Sequence, residues 1–491
     1  MHRSALVLIV ALLCSVSALP AAAARPGPRV LRDVQAGIDR LEPQGDEQPD
    51  TALEPSISVN PNNPLNAVAV YQAGRVDSGC AEINGYATTV DGGKTWRSGA
   101  FPKLTVANGG TTDLASDPAV AFGPGNIVYT NHLMCATTND LAFSVSRDGG
   151  RTWGTPIPVP SERTFPLDDK NWIAVDNGKG PGHHNGRLYM VWDDVAPVVA
   201  LYSDDQAKTW NGPFVIWPGQ GIGTYPLVMP NGDLAIIFTG AYPVPPLFSE
   251  GSPTAADLQA TDKFLIARAS GAGAVSTGGP LVFTPATPIA SNLGVAPRDQ
   301  RAGDGLPAPA VDPKTGRIYV AWMDHRFRSD VVNDVVMTYS DDGTNWSAVR
   351  RVNPGPTGDY AEHFTPAIEV GRDRVVRIMY RVQKQAANLD DIPTKTPYVD
   401  TFYQQTKDGS RFSVPMKVNT RVRSDIRFAA YSRGGAFYGD YSQIAVTGSW
   451  AYVVRAESFR VRKSDKAEWP PVDHHQRVWV AVVDSDGNGR P

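Results

Sequence analysis

The sequence predicts an all-β fold built as a radial repeat of short sheets, and three observations carry that prediction. A short turn of the form Ser/Thr-x-Asp-x-Gly-x-Thr-Trp recurs five times, in complete or shortened copies. Each copy follows an apolar strand. The 46 Gly and 41 Pro among 491 residues suit many short strands joined by tight turns. A chain of this length has room for two or three average domains, but a long repeat fold stays single.

The complete turns are Thr89-Val90-Asp91-Gly92-Gly93-Lys94-Thr95-Trp96 and Ser146-Arg147-Asp148-Gly149-Gly150-Arg151-Thr152-Trp153. A third, Ser203 to Trp210, has Ala207 where Gly belongs, and two shortened copies run from Ser340 to Trp346 and from Thr406 to Phe412. Asp and Ser/Thr side chains satisfy the turn amides, and Gly supplies positive φ. The aromatic ring is placed to plug between neighbouring sheets, so Trp96, Trp153, Trp210 and Trp346 are expected to be buried. These turns resemble the Asp-box of the sialidase superfamily, which joins the two outer strands of a propeller blade. The resemblance implies a β-propeller covering nearly the whole mature chain.

Aligned on the turns, the chain falls into longer units of an apolar strand, a turn, a second strand rich in Val, Tyr and Trp, and a third strand. Unit one runs through Glu54–Val59 and Ala67–Tyr71, unit two through Asp117–Phe122 and Ile127–Tyr129, and unit three through Asn171–Val175 and Arg187–Trp192. Unit four has Tyr225–Met229 and Leu234–Phe238 but no Asp-box. Units five and six begin at Pro307 and Thr365, and unit seven has Tyr441–Val446, Trp450–Val454 and Arg477–Val483. The count is therefore seven blades, with the six of sialidase catalytic domains as the alternative. The last unit lacks a fourth strand, so a strand near 29–32 is expected to close the ring. Gln35 to Pro49 and Ala241 to Asp262 read as exposed loops.

Residues 1–24 read as an export signal: basic Met1-His2-Arg3, apolar Ala5 to Leu19, then small Ala21 to Ala24. The expectation is a secreted monomer with no membrane anchor, its propeller filling 25–491. A net charge of -4 leaves no nucleic-acid footprint. Cys80 and Cys135 sit at similar places in consecutive repeats, and in an oxidising compartment such a pair is expected to bond. No zincin, P-loop, nucleophile elbow or Cys-His zinc pattern occurs, so no cofactor or metal site is expected, although the acidic turn Asp484 to Gly489 offers oxygen ligands of the kind calcium takes.

In the superfamily that the turns resemble, the ligand site lies on the face opposite the Asp-boxes. The resemblance implies a glycoside hydrolase acting on an extracellular glycan or glycoconjugate, an exo-sialidase first. Arg75, Arg326, Arg381 and Arg455 would then clamp a sugar carboxylate, because a planar guanidinium matches it bidentately. Tyr441 with Glu362 would form the nucleophile pair, with Asp169 and Asp440 as further catalytic carboxyls and Asp77 or Asp117 as alternative acid/base groups. Glu54-Pro55-Ser56-Ile57 stands where sialidases carry Arg-Ile-Pro. Asp324 and Arg326 read equally as a pair pinning a loop, and Asp440-Tyr441 as a cap on the last unit. A non-catalytic propeller binding glycan or protein is the second reading. A polysaccharide lyase using His132, His325 or His363 is the third.

Overall fold

The computed structural model describes residues 27–42, 45–77, 79–135, 140–159, 168–194, 197–242, 262–329, 332–355, 361–384, 392–489 and 491. The expected export signal and most of the Ala241–Asp262 stretch lie outside the described residues. The chain is all-β with almost no helix, and it folds as a β-propeller. No helix among the described residues is long and apolar enough to cross a membrane.

The strands form antiparallel meanders in which each strand pairs with the next. The first comprises Glu47–Val59, Ala67–Val76, Ala81–Thr89 and Arg97–Ala100, and the second Leu114–Phe122, Val128–Cys135, Asp140–Ser146 and Ile157–Pro158. The third runs Asp168–Val175, Leu188–Asp194, Val198–Ser203 and Asn211–Trp217. Gly221–Val228, Leu234–Ala241, Asp262–Ala269 and Thr287–Ser291 follow, then Ala308–Val311, Ile318–Asp324, Asp334–Ser340 and Arg350–Arg351. The sixth holds Ala361–Val370, Val376–Lys384, Tyr398–Thr406 and Met416–Lys417.

The C-terminal meander has Gln443–Thr447, Trp450–Ser458 and Gln476–Asp484, and the N-terminal strand Arg29–Gly37 pairs along the outside of Gln476–Asp484. That pairing, together with the Glu47 start of the next strand, puts Gln35 to Gly37 and Glu47 to Pro49 into sheet rather than loop. Single bridges, Thr51 to Gln476 and Ala81 to Ala115, fuse the C-terminal, first and second meanders into one twelve-stranded sheet. Among the described residues this leaves five separate sheets of four or more strands, plus a three-stranded one.

The five repeated turns share one hydrogen-bond pattern. In the first, Asp91 Oδ1 accepts from the amides of Lys94 and Thr95 at 3.0 Å, while Gly93 N donates to Thr89 Oγ1 at 3.0 Å. Asp148, Asp205, Asp342 and Asp408 repeat the arrangement. Each turn also leans on the sheet before it. Trp153 packs on Phe101 at 4.8 Å and Tyr86 at 5.7 Å, and Trp210 on Phe143 at 4.9 Å. Trp96 packs into the cluster of Tyr452 and Val482, which joins the first meander to the last. At Gly150, φ is 88°, and a Cβ there would lie 2.3 Å from Val68 Cγ2. The third copy makes the same turn with Gln206 and Ala207 at φ 67° and 64°, so it carries the strain that glycine avoids.

The four tryptophans are mostly buried, packed against the hydrophobic clusters of adjacent meanders, with part of each ring left accessible. The indole Nε1 of all four is buried, without a hydrogen-bond partner among the described residues.

Cys80 and Cys135 form a disulfide with Cα atoms 6.5 Å apart, tying the first meander to the second. The loop it closes spans 55 residues. Replacing both cysteines by Ser is expected to cost about 4 kcal/mol through the freed unfolded chain, read as a lowered denaturation midpoint in urea. Trp153→Ala, which strips the Phe101 contact from a mostly buried ring, is expected to cost about 3 kcal/mol. A Trp153→Ala variant melting with the parent would show that the ring adds nothing to the contact between meanders.

Candidate functional site

The first strand of each meander runs along the axis, and five of them break register at the same place. The breaks fall between Leu53 and Ser56, Ser116 and Ala119, Asp169 and Trp172, Ile222 and Tyr225, and Phe364 and Ala367. At each break one residue takes positive φ: Glu54 (47°), Asp117 (40°), Lys170 (45°), Gly223 (71°) and Thr365 (46°). Four of these are not glycine, and each such backbone state costs about 1–3 kcal/mol. A bulge re-aims the side chain it carries, and here Glu54, Asp117 and Lys170 meet.

Lys170 is the centre. Its Nζ lies 2.9 Å from Asp440 Oδ2, 3.2 Å from Asp117 Oδ2 and 3.7 Å from Glu54 Oε1, with all four side chains buried. Gln72 Nε2 donates to Glu54 Oε2 and to Ser116 Oγ, and Asp440 N donates to Glu54 Oε1 at 2.9 Å. Gly439, at φ 120°, allows that approach, since a Cβ there would sit 2.7 Å from Glu54 Cα. Arg75 donates to Gln72 Oε1 at 3.0 Å, and Arg301 donates to Asp440 Oδ2 at 3.0 Å. Both guanidiniums stack on Phe437, at 4.6 and 4.2 Å, and both donate to Ser432 Oγ. Phe437, Ser432 and Arg301 belong to the three-stranded sheet, which spans Gln300–Arg301, Ala430–Ser432 and Gly435–Phe437.

The carboxyls of this cluster divide by protonation. Burial pushes Glu54 up to about 7, with Lys170 opposing and Asp117 and Asp440 adding to the rise. Burial also acts on Asp440, but Lys170 and Arg301 outweigh it and hold that carboxyl below its usual range. Asp169, whose Oδ1 accepts from Lys170 N at 2.8 Å, is pushed up to about 6 by burial. Directly across the strand pair lies Asp193, buried, pushed well up by burial and then by Asp169. Lys170 stays a cation, because the surrounding carboxylates overcome the burial that would discharge it.

Above the cluster opens a cleft of about 540 Å³ lined by Lys170, Asp440, Arg301, Asp262, Asp304 and His325, among others. Below it the axis is walled by the first strands, with Trp172, Tyr225 and Tyr441 around a narrow neck. The cleft lies where first strands begin and second strands end. The five repeated turns follow the ends of third strands, at the other end of the meanders.

Of the sequence-predicted residues, Asp169, Asp440, Arg75 and Tyr441 fall in or against the Lys170 cluster. Tyr441 meets Trp172 edge-on at 5.0 Å, has Lys170 Nζ 5.5 Å from its ring, and keeps a buried hydroxyl without a hydrogen-bond partner among the described residues. Its phenol is held neutral, first by burial and then by Asp117 and Glu54. The expected Tyr441–Glu362 pair is not formed. Glu362 sits ahead of the bulge in the sixth meander and accepts from Asn333 N at 3.0 Å.

The arginine clamp does not assemble either. Arg326 is bidentate on Asp324 at 2.8 and 2.7 Å, so that pair does pin a loop. Arg455 is fully buried between Asp33 and Glu457, each at 2.5 Å, and anchors the N-terminal strand. Arg381 is buried under Tyr438 and donates to Ala456 O at 2.6 Å. Asp77 accepts from Arg433 N. His132 is a core residue between Asn84 and Ser144, held neutral by burial at about 3, and His363 is buried beside Tyr380. His325 does line the cleft.

No protein-family model and no curated protein sequence matches this chain. Among solved structures, it is similar to an alpha-L-arabinanase of Penicillium chrysogenum complexed with arabinobiose, at 10% identity and a TM-score of 0.44, over 94% of this chain and 99% of that one. A PL25 ulvan lyase gives 10% identity and a TM-score of 0.49, over 89% and 95% of the two chains. An intramolecular trans-sialidase of Ruminococcus gnavus gives 13% and 0.41, over 70% and 92%.

The cluster makes stability depend on pH with a definite sign. The folded pKa of Glu54, about 7, lies above its ordinary 4.5, so its contribution is complete below about pH 4.5 and is lost as pH rises through 7. Melting temperature is expected to fall between pH 5 and 8, and Glu54→Gln is expected to flatten that fall, as seen in thermal melts across the range. An unchanged slope in the variant would assign the pH dependence elsewhere.

Proposed function

We propose that this chain is a secreted, monomeric glycoside hydrolase of the Asp-box type, with seven blades, acting on an extracellular glycan held in the Lys170 cleft. One observation carries the hydrolytic reading. Two carboxyls of the same cluster have environments that push their protonation apart, Asp440 toward the anion and Asp169 toward the acid, which is the division of labour glycoside hydrolysis needs. In this reading Asp169, half-buried at its bulge, protonates the glycosidic oxygen. Asp440, ionised between Lys170 and Arg301, stabilises positive charge at the anomeric carbon or orients the attacking group. The hydroxyl of Tyr441 is left for the ligand to satisfy, because a buried hydroxyl without a partner is costly.

Seven blades are supported by the axial channel beneath the neck, which is lined by first-strand residues from Ile57 to Val59, Val120 to Phe122, Trp172 to Val175, Tyr225 to Val228, Pro309 to Val311, Glu369 to Val370 and Gln443 to Val446. The five turns with one bonding pattern support the Asp-box assignment. Secretion is supported by the apolar, small-residue N-terminus and by the disulfide. The dispersed arginines remove the argument for sialic acid in particular.

The second reading is a binding propeller without turnover. It is favoured by the closure of the Lys170 ion cluster, in which every charge already has a partner, as in a purely structural clasp. A panel of fluorogenic glycosides separates the two. For a substrate that is turned over, Asp169→Asn and Asp440→Asn are each expected to lower kcat by about 10²–10⁴ with little change in KM. Arg326→Ala should lower the melting temperature and leave kcat alone. Activity should fall as pH rises past about 6, where Asp169 loses its proton. Turnover surviving both aspartate substitutions would end the catalytic assignment.

A further inference from the structure

We propose that the cleft selects a glycan bearing a free, protonated amine over one bearing a carboxylate. This rests on the glycan reading above and adds the substrate class. The argument is a charge inventory of the cleft. Its two inner cations are already neutralised: Lys170 has three carboxylates within 3.7 Å, and Arg301 donates to Asp440 at 3.0 Å and to Ser432 at 3.0 Å. Arg75, behind them, is almost fully buried and turned toward Gln72 and Ser432. The remaining arginine of the lining, Arg433, is exposed on the lip, where water and salt screen it, and the one imidazole of the lining is His325.

The acidic side of the inventory is different. Asp262 and Asp304 both line the cleft, both are half-buried, and neither forms an ion pair or a side-chain hydrogen bond to another residue among the described residues. Both line the same cleft as Asp440, Asp262 opening the third strand of the fourth meander and Asp304 following the Gln300–Arg301 strand. Burial raises the pKa of both, so each gains when a cation arrives and loses when an anion does. A carboxylated sugar entering here meets Asp304 and Asp440, and the guanidinium left to receive it, that of Arg433, stands on the exposed lip. A sugar ammonium meets two unpaired acceptors in a partly desolvated wall, where charge complementarity sets specificity.

The test is titration calorimetry on the mature protein at about pH 6, where an amine of ordinary basicity is protonated. Three tetrasaccharides serve as probes: a glucosamine oligomer with free amines, its N-acetylated counterpart, and a galacturonate oligomer. The free-amine form is expected to bind at least tenfold more tightly than the N-acetylated form, with the galacturonate weakest. The preference should shrink as salt is raised, a measurement that needs no variant. The double variant Asp262→Asn/Asp304→Asn, checked by its melting curve, should bring the amine and N-acetyl forms to equal affinity. Equal binding of all three probes, tighter binding of the galacturonate, or a preference that survives the double variant overturns the amine assignment alone. No binding of any probe overturns it together with the glycan reading.

Discussion

One buried ammonium group holds the centre of this molecule. Lys170 reaches carboxylates from the first meander, the second and the last, so four first-strand segments that are far apart in sequence are fastened at one point. Such an arrangement is stable only when every member is present. Removing the cation would leave Glu54, Asp117 and Asp440 buried and unpaired, a loss of about 3–5 kcal/mol by analogy with broken buried pairs. The positive-φ bulges that aim Glu54, Asp117 and Lys170 inward add backbone strain, which the packed sheets behind them must absorb. Strain and buried charge are thus concentrated at one axial spot, under an open cleft.

Around the rim a different force works. The repeated turns place an aromatic ring against the preceding sheet, and the contact passes from meander to meander. It closes where Trp96 of the first meets Tyr452 of the last. The N-terminal strand closes the same junction from the outside, pinned by Arg455 between Asp33 and Glu457. The apolar contacts are non-directional and tolerate the partly accessible tryptophans. The fully buried Arg455 pair is directional and fixes the register at the seam. Hydrophobic packing spreads the ring's stability around its circumference, while ion pairs fix it at two places, the seam and the axis.

The meanders and turns were legible in the sequence because each depends on local chemistry. Asp91 and Asp148 accept from amides three and four residues on, and Gly93 and Gly150 take the positive φ that the spacing announces. The disulfide was legible because its cysteines recur at nearly the same offset, 11 residues before Asp91 and 13 before Asp148. Asp169, Asp440 and Arg75 could be placed near the axis from their positions at strand ends. The cluster that gathers them could not, because Lys170 with Asp117, Glu54 and Asp440, and Arg75 with Ser432, join residues between 53 and 357 positions apart. Glu362 meets Asn333 and not Tyr441, since a bulge three residues later, not the strand start, decides which side chain faces the axis. A usable signal was present: Glu54-Pro55, Asp117-Pro118 and Thr365-Pro366 each put a proline directly after the bulged residue. Proline cannot donate to a ladder, so its recurrence in an inner strand marks a break in pairing, and it would have pointed to Glu54.

The same geometry bears on how the site could work. Lys170 and Arg301 lower the energy of the Asp440 anion, while burial raises that of Glu54 and Asp169, so one cation cluster keeps acid and base forms side by side near neutral pH. Exchanging Lys170 for a neutral residue would not merely remove a contact. It would drive Asp440 toward protonation and erase the difference between the two carboxyls. Under the hydrolytic reading proposed above, catalysis by this pair would require the cluster to remain intact, and the cluster's partners come from four meanders. Under that reading, ring closure at Trp96 and Arg455 would be a condition for the chemistry as well as for the fold. Loosening the seam should separate Glu54 and Asp440, which lie on its two sides, before it disturbs Asp169, which does not.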